Sequence, residues 1–173
     1  ILFSDILPPL IPMGFNLEYV KGVGPVIHNP LRSAKDLEQL NFNPDAKFFT
    51  YIQEAVSMIR AKLPKGKDLI GFAGAPFTMA SYAIEGGGSK TYQHIKTLMY
   101  REPDTYHKLM TLITDVTKIY LKMQLDAGAQ MVQLFDSWGG ALSRSDYMRY
   151  AHPYTKEIIS WLKKETGKPV IHF

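Results

Sequence analysis

Carboxyl and hydroxyl side chains stand directly after apolar runs of this 173-residue sequence, at points where short strands would end. Asp5 closes the run Ile-Leu-Phe-Ser, and Asp136 with Ser137 closes a later run. A carboxylate at the rim of an apolar pocket accepts hydrogen bonds from N–H donors and stabilises a developing positive charge. Asp5 is therefore a candidate catalytic residue. A turn or cap role stays open for Asp5, and it is the favoured interpretation for Asp136.

A glycine-rich segment at residues 86–91, Gly-Gly-Gly-Ser-Lys-Thr, invites comparison with phosphate-binding loops. Those loops require Gly-Lys followed directly by Ser or Thr, and they come after a strand. Here Ser89 separates the glycines from Lys90, and residues 77–84 before them have a helical pattern. The segment therefore predicts a flexible loop that ends a helix.

The residue types give little support to metal or nucleic-acid chemistry. The chain has no cysteine, and its five histidines form no i, i+4 pair and no recognisable metal-ligand spacing. The net charge is +4, and the lysines fall mostly on helical patterns rather than in a basic stripe with interleaved aromatics. No apolar stretch reaches the ~18 residues of a membrane span. We therefore expect a cytoplasmic enzyme with a metal-free pocket and no nucleic-acid or membrane partner.

Three units of a helix followed by a strand would position the candidate residues. In each unit a helix with one apolar face stops at or near a glycine, and a short apolar strand follows. The predicted helices cover residues 43–63, 104–126 and 143–165. The predicted strands cover residues 69–73, 131–135 and 169–173. Such alternation is typical of parallel strands with crossover helices.

Local residues set the ends of these helices. Asn43 is a suitable N-cap for the first, and Pro44 suits the first helical position, where its missing N–H is not needed. Ser143 and Asp146 resemble a capping box at the start of the third, which we expect to bend at Pro153.

The segment before these units has weaker patterns. We predict a strand at residues 1–4, a short strand at 17–20, a loop at 22–30 and a short helix from Ser33 to Leu40.

The fold predicted from these elements is a (β/α)8 barrel of which the chain supplies roughly half. A complete barrel typically needs ~250 residues, and no Gly-x-Gly-x-x-Gly motif favours a dinucleotide-binding sheet instead. The chain starts and stops inside apolar runs, which would leave strand edges unpaired. We therefore interpret residues 1–173 as one incomplete barrel domain whose amino- and carboxy-terminal parts are missing.

Four phrases, taken together, resemble the uroporphyrinogen decarboxylase family in order and spacing. They are Ile-Leu-Phe-Ser-Asp-Ile-Leu at residues 1–7, Gly-Phe-Ala-Gly-Ala-Pro-Phe-Thr at 71–78, Glu-Gly-Gly-Gly-Ser at 85–89 and Gln-Leu-Phe-Asp-Ser at 133–137. The resemblance implies a cofactor-free homodimeric barrel enzyme of haem and porphyrin biosynthesis. Its substrate would be a tetrapyrrole, uroporphyrinogen III, whose four acetate side chains lose carbon dioxide to give coproporphyrinogen III.

The resemblance also assigns roles to four residues. Asp5 would accept the pyrrole N–H groups and stabilise the protonated pyrrole intermediate. Tyr82 would hydrogen-bond a substrate carboxylate or Asp5, Ser137 would contact a propionate or acetate group, and Phe72 would pack against the tetrapyrrole face. The family's amino-terminal arginines and a carboxy-terminal histidine would lie outside this chain, so we expect little or no activity from the isolated 173 residues.

Two alternatives remain. Zinc-dependent cobamide-linked methyltransferases of the same superfamily carry a His-x-Cys pair near the strand that holds His172, and the chain stops one residue before the position that would decide. A non-catalytic relative that only binds tetrapyrroles is the second alternative. The first and third phrases of the resemblance favour the decarboxylase.

Overall fold

The computed structural model describes residues 5–173, and their elements follow in chain order. The helices are α1 Ala34–Leu37, α2 Thr50–Lys62, α3 Pro76–Glu85, α4 Gln93–Arg101, α5 Pro103–Asp126, α6 Arg144–Asp146 and α7 His152–Thr166. The strands are β1 Leu17–Val20, β2 Gly24–Ile27, β3 Ile70–Gly74, β4 Met131–Phe135 and β5 Val170–His172. Short 3₁₀ turns cover Pro8–Leu10, Ala46–Phe49 and Gly139–Ala141, and a π-helical turn, Tyr147–Ala151, joins α6 to α7.

Three parallel strands form the sheet that carries the site, in the order β3-β4-β5. Gly74 pairs with Phe135, and Leu134 pairs with His172, so the carboxyl ends of the three strands lie at one edge. Parallel neighbours need crossover connections, and the helices α3 to α5 and then α6 and α7 supply them. The separate pair β1-β2 is an antiparallel hairpin.

The core lies between one face of this sheet and its helices. Val132 and Leu134 of β4 are fully buried, whereas Gln133 and Phe135 between and after them are partly exposed. Alternation of this kind gives each strand one face toward the helices and one face toward the barrel interior. The longest helix, α5, packs on α7, α3 and β3 through a stripe that includes Leu109, Ile113 and Val116 in its buried set.

The strands predicted at residues 17–20, 69–73, 131–135 and 169–173 are confirmed to within a residue or two. The long helices that precede the last two are also confirmed. The strand predicted at residues 1–4 lies outside the described residues. Pro153 lies in the first turn of α7, two residues after the π-helical turn, and the bend expected there stays a prediction.

Several boundaries were wrong for identifiable reasons. Residues 22–30 are not all loop, because Gly24 (φ +103°) opens β2 within a tight hairpin. The first long helix does not start at Asn43 and Pro44; the cap is Asp45, which accepts the Lys47 N–H at 2.8 Å and starts a 3₁₀ turn ahead of α2. Helix α1 ends at Leu37, before Leu40, and α4 was not predicted.

Gln124 on α5 connects that helix to β3 through both of its side-chain amide atoms. Its Oε1 accepts the backbone N–H of Phe72 at 3.0 Å, and its Nε2 donates to the Phe72 carbonyl at 3.0 Å. Gly71 leaves room for this approach, because a Cβ there would lie 2.8 Å from Gln124 Oε1. The Gln124 amide thus pairs with the N–H and the carbonyl of Phe72 as the backbone of a neighbouring strand would. These two bonds fix the backbone of Phe72.

Substitution Gln124→Leu should therefore destabilise the protein. A leucine would leave the Phe72 N–H and carbonyl without these partners in a buried setting, at a cost of roughly 1–3 kcal/mol. Urea unfolding of the full-length protein measures this as a lower midpoint, with Gln53→Leu on the exposed face of α2 as the control. Equal midpoints for the two variants would contradict this assignment.

Candidate functional site

The carboxyl edge of the parallel sheet gathers most of the residues that the sequence singled out. Ala75 and Pro76 follow β3, Asp136 and Ser137 follow β4, and His172 is the last residue of β5. In parallel α/β folds, active sites lie beyond this edge, because the strand ends and the helix amino termini meet there.

Asp136 lies at the centre of a polar cluster at this edge. Its side chain is only 4% exposed. The Thr78 hydroxyl donates to Oδ1 at 3.1 Å, and the Tyr147 hydroxyl donates to Oδ2 at 2.8 Å. His172 Nε2 lies 3.5 Å from the same Oδ2. The carboxylate therefore ties the end of β4 to α3, to the π-helical turn and to β5.

Tyr147 remains a hydrogen-bond donor in this cluster. Burial raises the pKa of Tyr147 well above the ordinary tyrosine value, and the nearby Asp136 carboxylate raises it further. The hydroxyl thus keeps its proton at physiological pH and keeps donating to Asp136.

Thr78 connects Asp136 to the next loop. This buried hydroxyl also accepts the backbone N–H of Trp138 at 3.2 Å. The Trp138 indole then packs against two tyrosines, with ring centroids 5.8 Å from Tyr82 and 5.7 Å from Tyr92. Tyr92 has a left-handed backbone (φ 54°), which costs a non-glycine residue on the order of 1–3 kcal/mol. The contact with Trp138 is one of the interactions that hold it there.

Tyr82 is half-buried on α3, near the end where that helix reaches the glycine-rich segment. Burial raises the pKa of Tyr82, a polar contact from the Trp138 indole lowers it, and the Asp5 carboxylate raises it. Asp5 and Tyr82 therefore lie within electrostatic range of each other. Gly86 ends the helix with a left-handed backbone (φ +88°), as expected for a loop that ends a helix.

Asp5 forms a turn at the start of the described chain. Its Oδ1 accepts the backbone N–H of Leu7 at 2.9 Å, the pattern of an aspartate that stabilises a turn two residues on. Its side chain also contacts the Tyr19 hydroxyl, and its charge raises the pKa of Tyr19 after the larger effect of burial. Asp5 therefore has the turn role that the sequence analysis left open.

Phe72 belongs to an aromatic cluster on the face of the sheet that is turned away from Val132 and Leu134. Its ring centroid lies 6.0 Å from that of Phe135, which lies 5.8 Å from that of Phe173, and both pairs meet edge to face. Phe72 is partly exposed. The face can therefore offer aromatic surface to a flat ligand. Ser137, at the adjoining strand end, is exposed.

Sequence reasoning brought forward Asp5, Tyr82, Ser137 and Phe72, and the structure adds the Asp136 cluster. Thr78 and Trp138 carried no signal of their own, because Thr78 bonds Asp136 and Trp138 from 58 and 60 positions away. Tyr147 also carried none, and its bond to Asp136 spans 11 positions.

Within residues 5–173, no group of three or more His, Cys, Asp or Glu side chains is close enough together to hold a metal ion. No helix in this part of the chain is long and apolar enough to cross a membrane.

Comparison with known proteins gives consistent matches. The family model described as uroporphyrinogen decarboxylase (URO-D) matches residues 1–173. The uroporphyrinogen decarboxylases of Carboxydothermus hydrogenoformans and Sorangium cellulosum are 48% and 49% identical over 173 residues, which is 100% of this chain and 49% of each relative. That of Trichlorobacter lovleyi is 48% identical over 174 residues. The chain thus spans about half the length of these curated relatives.

A solved structure of a methyltransferase from Methanosarcina mazei superposes with a TM-score of 0.77 at 16% identity, covering 99% of this chain and 49% of that one. Likeness at this identity concerns the fold, and it agrees with the predicted half of a (β/α)8 barrel. The family model, in contrast, matches all 173 residues, and the chain therefore belongs to the uroporphyrinogen decarboxylase family.

Proposed function

We propose that the protein containing this chain decarboxylates uroporphyrinogen III to coproporphyrinogen III, as a carboxy-lyase of porphyrin and haem biosynthesis. The observation that carries the proposal is the family match over residues 1–173, with relatives named uroporphyrinogen decarboxylase at about half identity. Because the chain spans 49% of those relatives, the proposal concerns the whole protein that contains it.

The chemistry needs no cofactor in this proposal. Protonation of a pyrrole carbon beside an acetate side chain makes the ring a cationic electron sink. The bond to the carboxylate carbon then breaks, its electron pair neutralises the ring, and carbon dioxide leaves. Protonation of the remaining exocyclic carbon gives a methyl group, and loss of the proton first added to the ring carbon restores the pyrrole. The protein's contribution is to stabilise the cation and to orient the acetate.

Asp5 is the proposed cation-stabilising group. A carboxylate accepts hydrogen bonds at about four lone-pair positions, and the Leu7 N–H and the Tyr19 hydroxyl already contact that of Asp5. The pyrrole N–H groups of the substrate would take up further positions. The Leu7 contact also fixes the direction of the carboxylate before substrate arrives, which is favourable for electrostatic catalysis.

The other three residues are proposed to bind substrate. Tyr82 lies within electrostatic range of Asp5, which suits a hydroxyl that bonds a substrate carboxylate or Asp5 itself. Phe72 presents part of its ring on the inner face of the sheet, beside Phe135, where a tetrapyrrole could stack. Ser137 is exposed at the end of β4 and is accessible to a propionate or acetate group.

The methyltransferase and the non-catalytic relative are the competing proposals. The similarity to the Methanosarcina mazei enzyme, at 16% identity, is a similarity of fold, whereas the relatives at 48% identity are decarboxylases by name. A zinc assay of the full-length protein together with the decarboxylation assay separates the two chemistries.

Substitution Asp5→Asn should abolish most of the decarboxylase activity of the full-length protein. Asparagine can still accept the Leu7 N–H, so the turn survives while the negative charge is lost. We expect kcat/KM for carbon dioxide release from uroporphyrinogen to fall roughly 100-fold or more. The assay is release of carbon dioxide together with chromatography of the porphyrin products.

Asp45→Asn is the matched control for this experiment. Asp45 also accepts the N–H two residues on, from Lys47 at 2.8 Å, but it lies at the start of α2. Wild-type rates for both variants would show that Asp5 has a turn role and no role in catalysis.

Substitution Tyr82→Phe should weaken substrate binding more than it slows the chemical step. A lost hydrogen bond to a charged partner costs about 1.5–3 kcal/mol, which corresponds to roughly a tenfold to hundredfold rise in KM. Tyr92→Phe, which removes a hydroxyl from the other tyrosine beside Trp138, should leave KM near the wild-type value. The proposal for Tyr82 is wrong if both variants bind substrate equally well.

We further propose that the full-length protein is a cytoplasmic homodimer, as the family resemblance implies. Sedimentation equilibrium of the full-length protein should give twice the subunit mass at micromolar concentration. A monomer at that concentration would refute this part of the proposal.

A further inference from the structure

Asp136 is a buried carboxylate to which the proposed reaction gives no role. Burial of a charge is costly unless hydrogen bonds compensate for lost water, and here Thr78 and Tyr147 donate one each. The two oxygens are thereby divided between two elements. Oδ1 holds α3 through Thr78, and Oδ2 holds the π-helical turn through Tyr147.

The charge of Asp136 determines what the Thr78 hydroxyl can do. A hydroxyl has one proton to donate and lone pairs with which to accept. Because the carboxylate only accepts, the Thr78 proton is committed to Asp136, and a lone pair remains for the Trp138 backbone N–H at 3.2 Å. Thr78 is fully buried, so water does not replace either bond.

Trp138, which Thr78 holds through its backbone N–H, packs against Tyr82. The two rings are 5.8 Å apart between centroids and tilted by 55°, so the indole packs directly against the Tyr82 ring. Tyr92 packs against the same indole at 5.7 Å, which limits its movement. Tyr82 is only half-buried, so its ring would otherwise have space to rotate.

We propose that Asp136, Thr78 and Trp138 form a positioning linkage that holds the Tyr82 hydroxyl in the orientation that binds a substrate carboxylate. The inference rests on the function proposed above for Tyr82. All three residues act through Tyr82, so they are positioning residues. A hydroxyl fixed in advance binds its partner without the entropy loss of ordering a free side chain.

The first test is Trp138→Phe in the full-length protein. Phenylalanine retains an aromatic ring and lacks the indole N–H. We expect KM for uroporphyrinogen to rise roughly threefold to tenfold, with a smaller change in kcat. Trp161→Phe is the matched control, because it alters the only other tryptophan of the chain, on α7, and should leave KM unchanged.

A double-mutant cycle separates positioning from general damage. In a Tyr82→Phe background there is no hydroxyl left to position, so adding Trp138→Phe should raise KM by less than twofold further. Two effects that multiply fully in the double variant would overturn the linkage.

Thr78→Val tests the buried end of the linkage. Valine has nearly the shape of threonine and removes the hydroxyl that joins Asp136 to Trp138. KM should rise in the same direction as for Trp138→Phe. Thr117→Val is the control, because Thr117 is equally buried but donates only within its own helix, to Ile113. A KM change shared by both threonine variants would overturn the proposal.

A spectroscopic measurement tests the positioning linkage independently of the decarboxylation reaction. In full-length protein with ¹³Cζ-labelled tyrosine, the Tyr82 resonance is identified by its loss in Tyr82→Phe. Trp138→Phe and Thr78→Val should both shift that resonance at neutral pH, and Trp161→Phe and Thr117→Val should leave it in place. An unshifted resonance in Trp138→Phe overturns the linkage. Wild-type protein that fails to decarboxylate uroporphyrinogen overturns the proposed reaction instead, and the resonance still decides the linkage.

Discussion

The parallel pairing of β3, β4 and β5 is the constraint on which the rest of the structure depends. Parallel strands cannot be joined by tight turns, so each pair requires a helical crossover that returns the chain to the same end of the sheet. The 24-residue helix α5, about 36 Å long, makes most of the return from β3 to β4. All three strands therefore finish at one edge, where Thr78, Asp136 and His172 meet.

Burial of the Asp136 charge then makes that edge rigid. A carboxylate removed from water must keep its hydrogen-bond donors, because the loss of any one leaves charge uncompensated in a medium of low dielectric constant. Its donors come from α3 and from the π-helical turn, and His172 of β5 lies beside them. The same interactions that compensate the buried Asp136 carboxylate thus fix the relative positions of three elements around the strand ends.

The sequence predicted the parts of the fold that depend on local patterns. The strands at β3 and β4 and the helix α5 were recognisable because apolar periodicity and a terminal glycine act within a short window. Strand β2 was missed because Gly24 and Pro25 are typical of loops, and only pairing with β1 makes them strand. The start of α2 was misplaced because Asn43 and Pro44 also suit a helix start, whereas in the structure Asp45 caps a 3₁₀ turn and α2 begins at Thr50.

The site shows the same division between local and distant information. Asp5 and Tyr82 were identifiable from phrases in the sequence, whereas the bonds of Thr78 to Asp136 and to Trp138 join residues 58 and 60 positions apart. No periodicity specifies such contacts; they follow from the sheet register. Contacts of this kind become visible only when the strand ends have been placed together.

A structural role and a chemical role for Asp5 do not exclude each other. The turn uses one oxygen to accept the Leu7 N–H. A carboxylate fixed in this way needs little reorganisation when positive charge develops nearby. A free side chain would have to be ordered by the substrate, at the expense of binding energy. The turn therefore orients the Asp5 carboxylate before a cation forms beside it. Asparagine could form the same turn, so only the negative charge would make aspartate better than asparagine at this position.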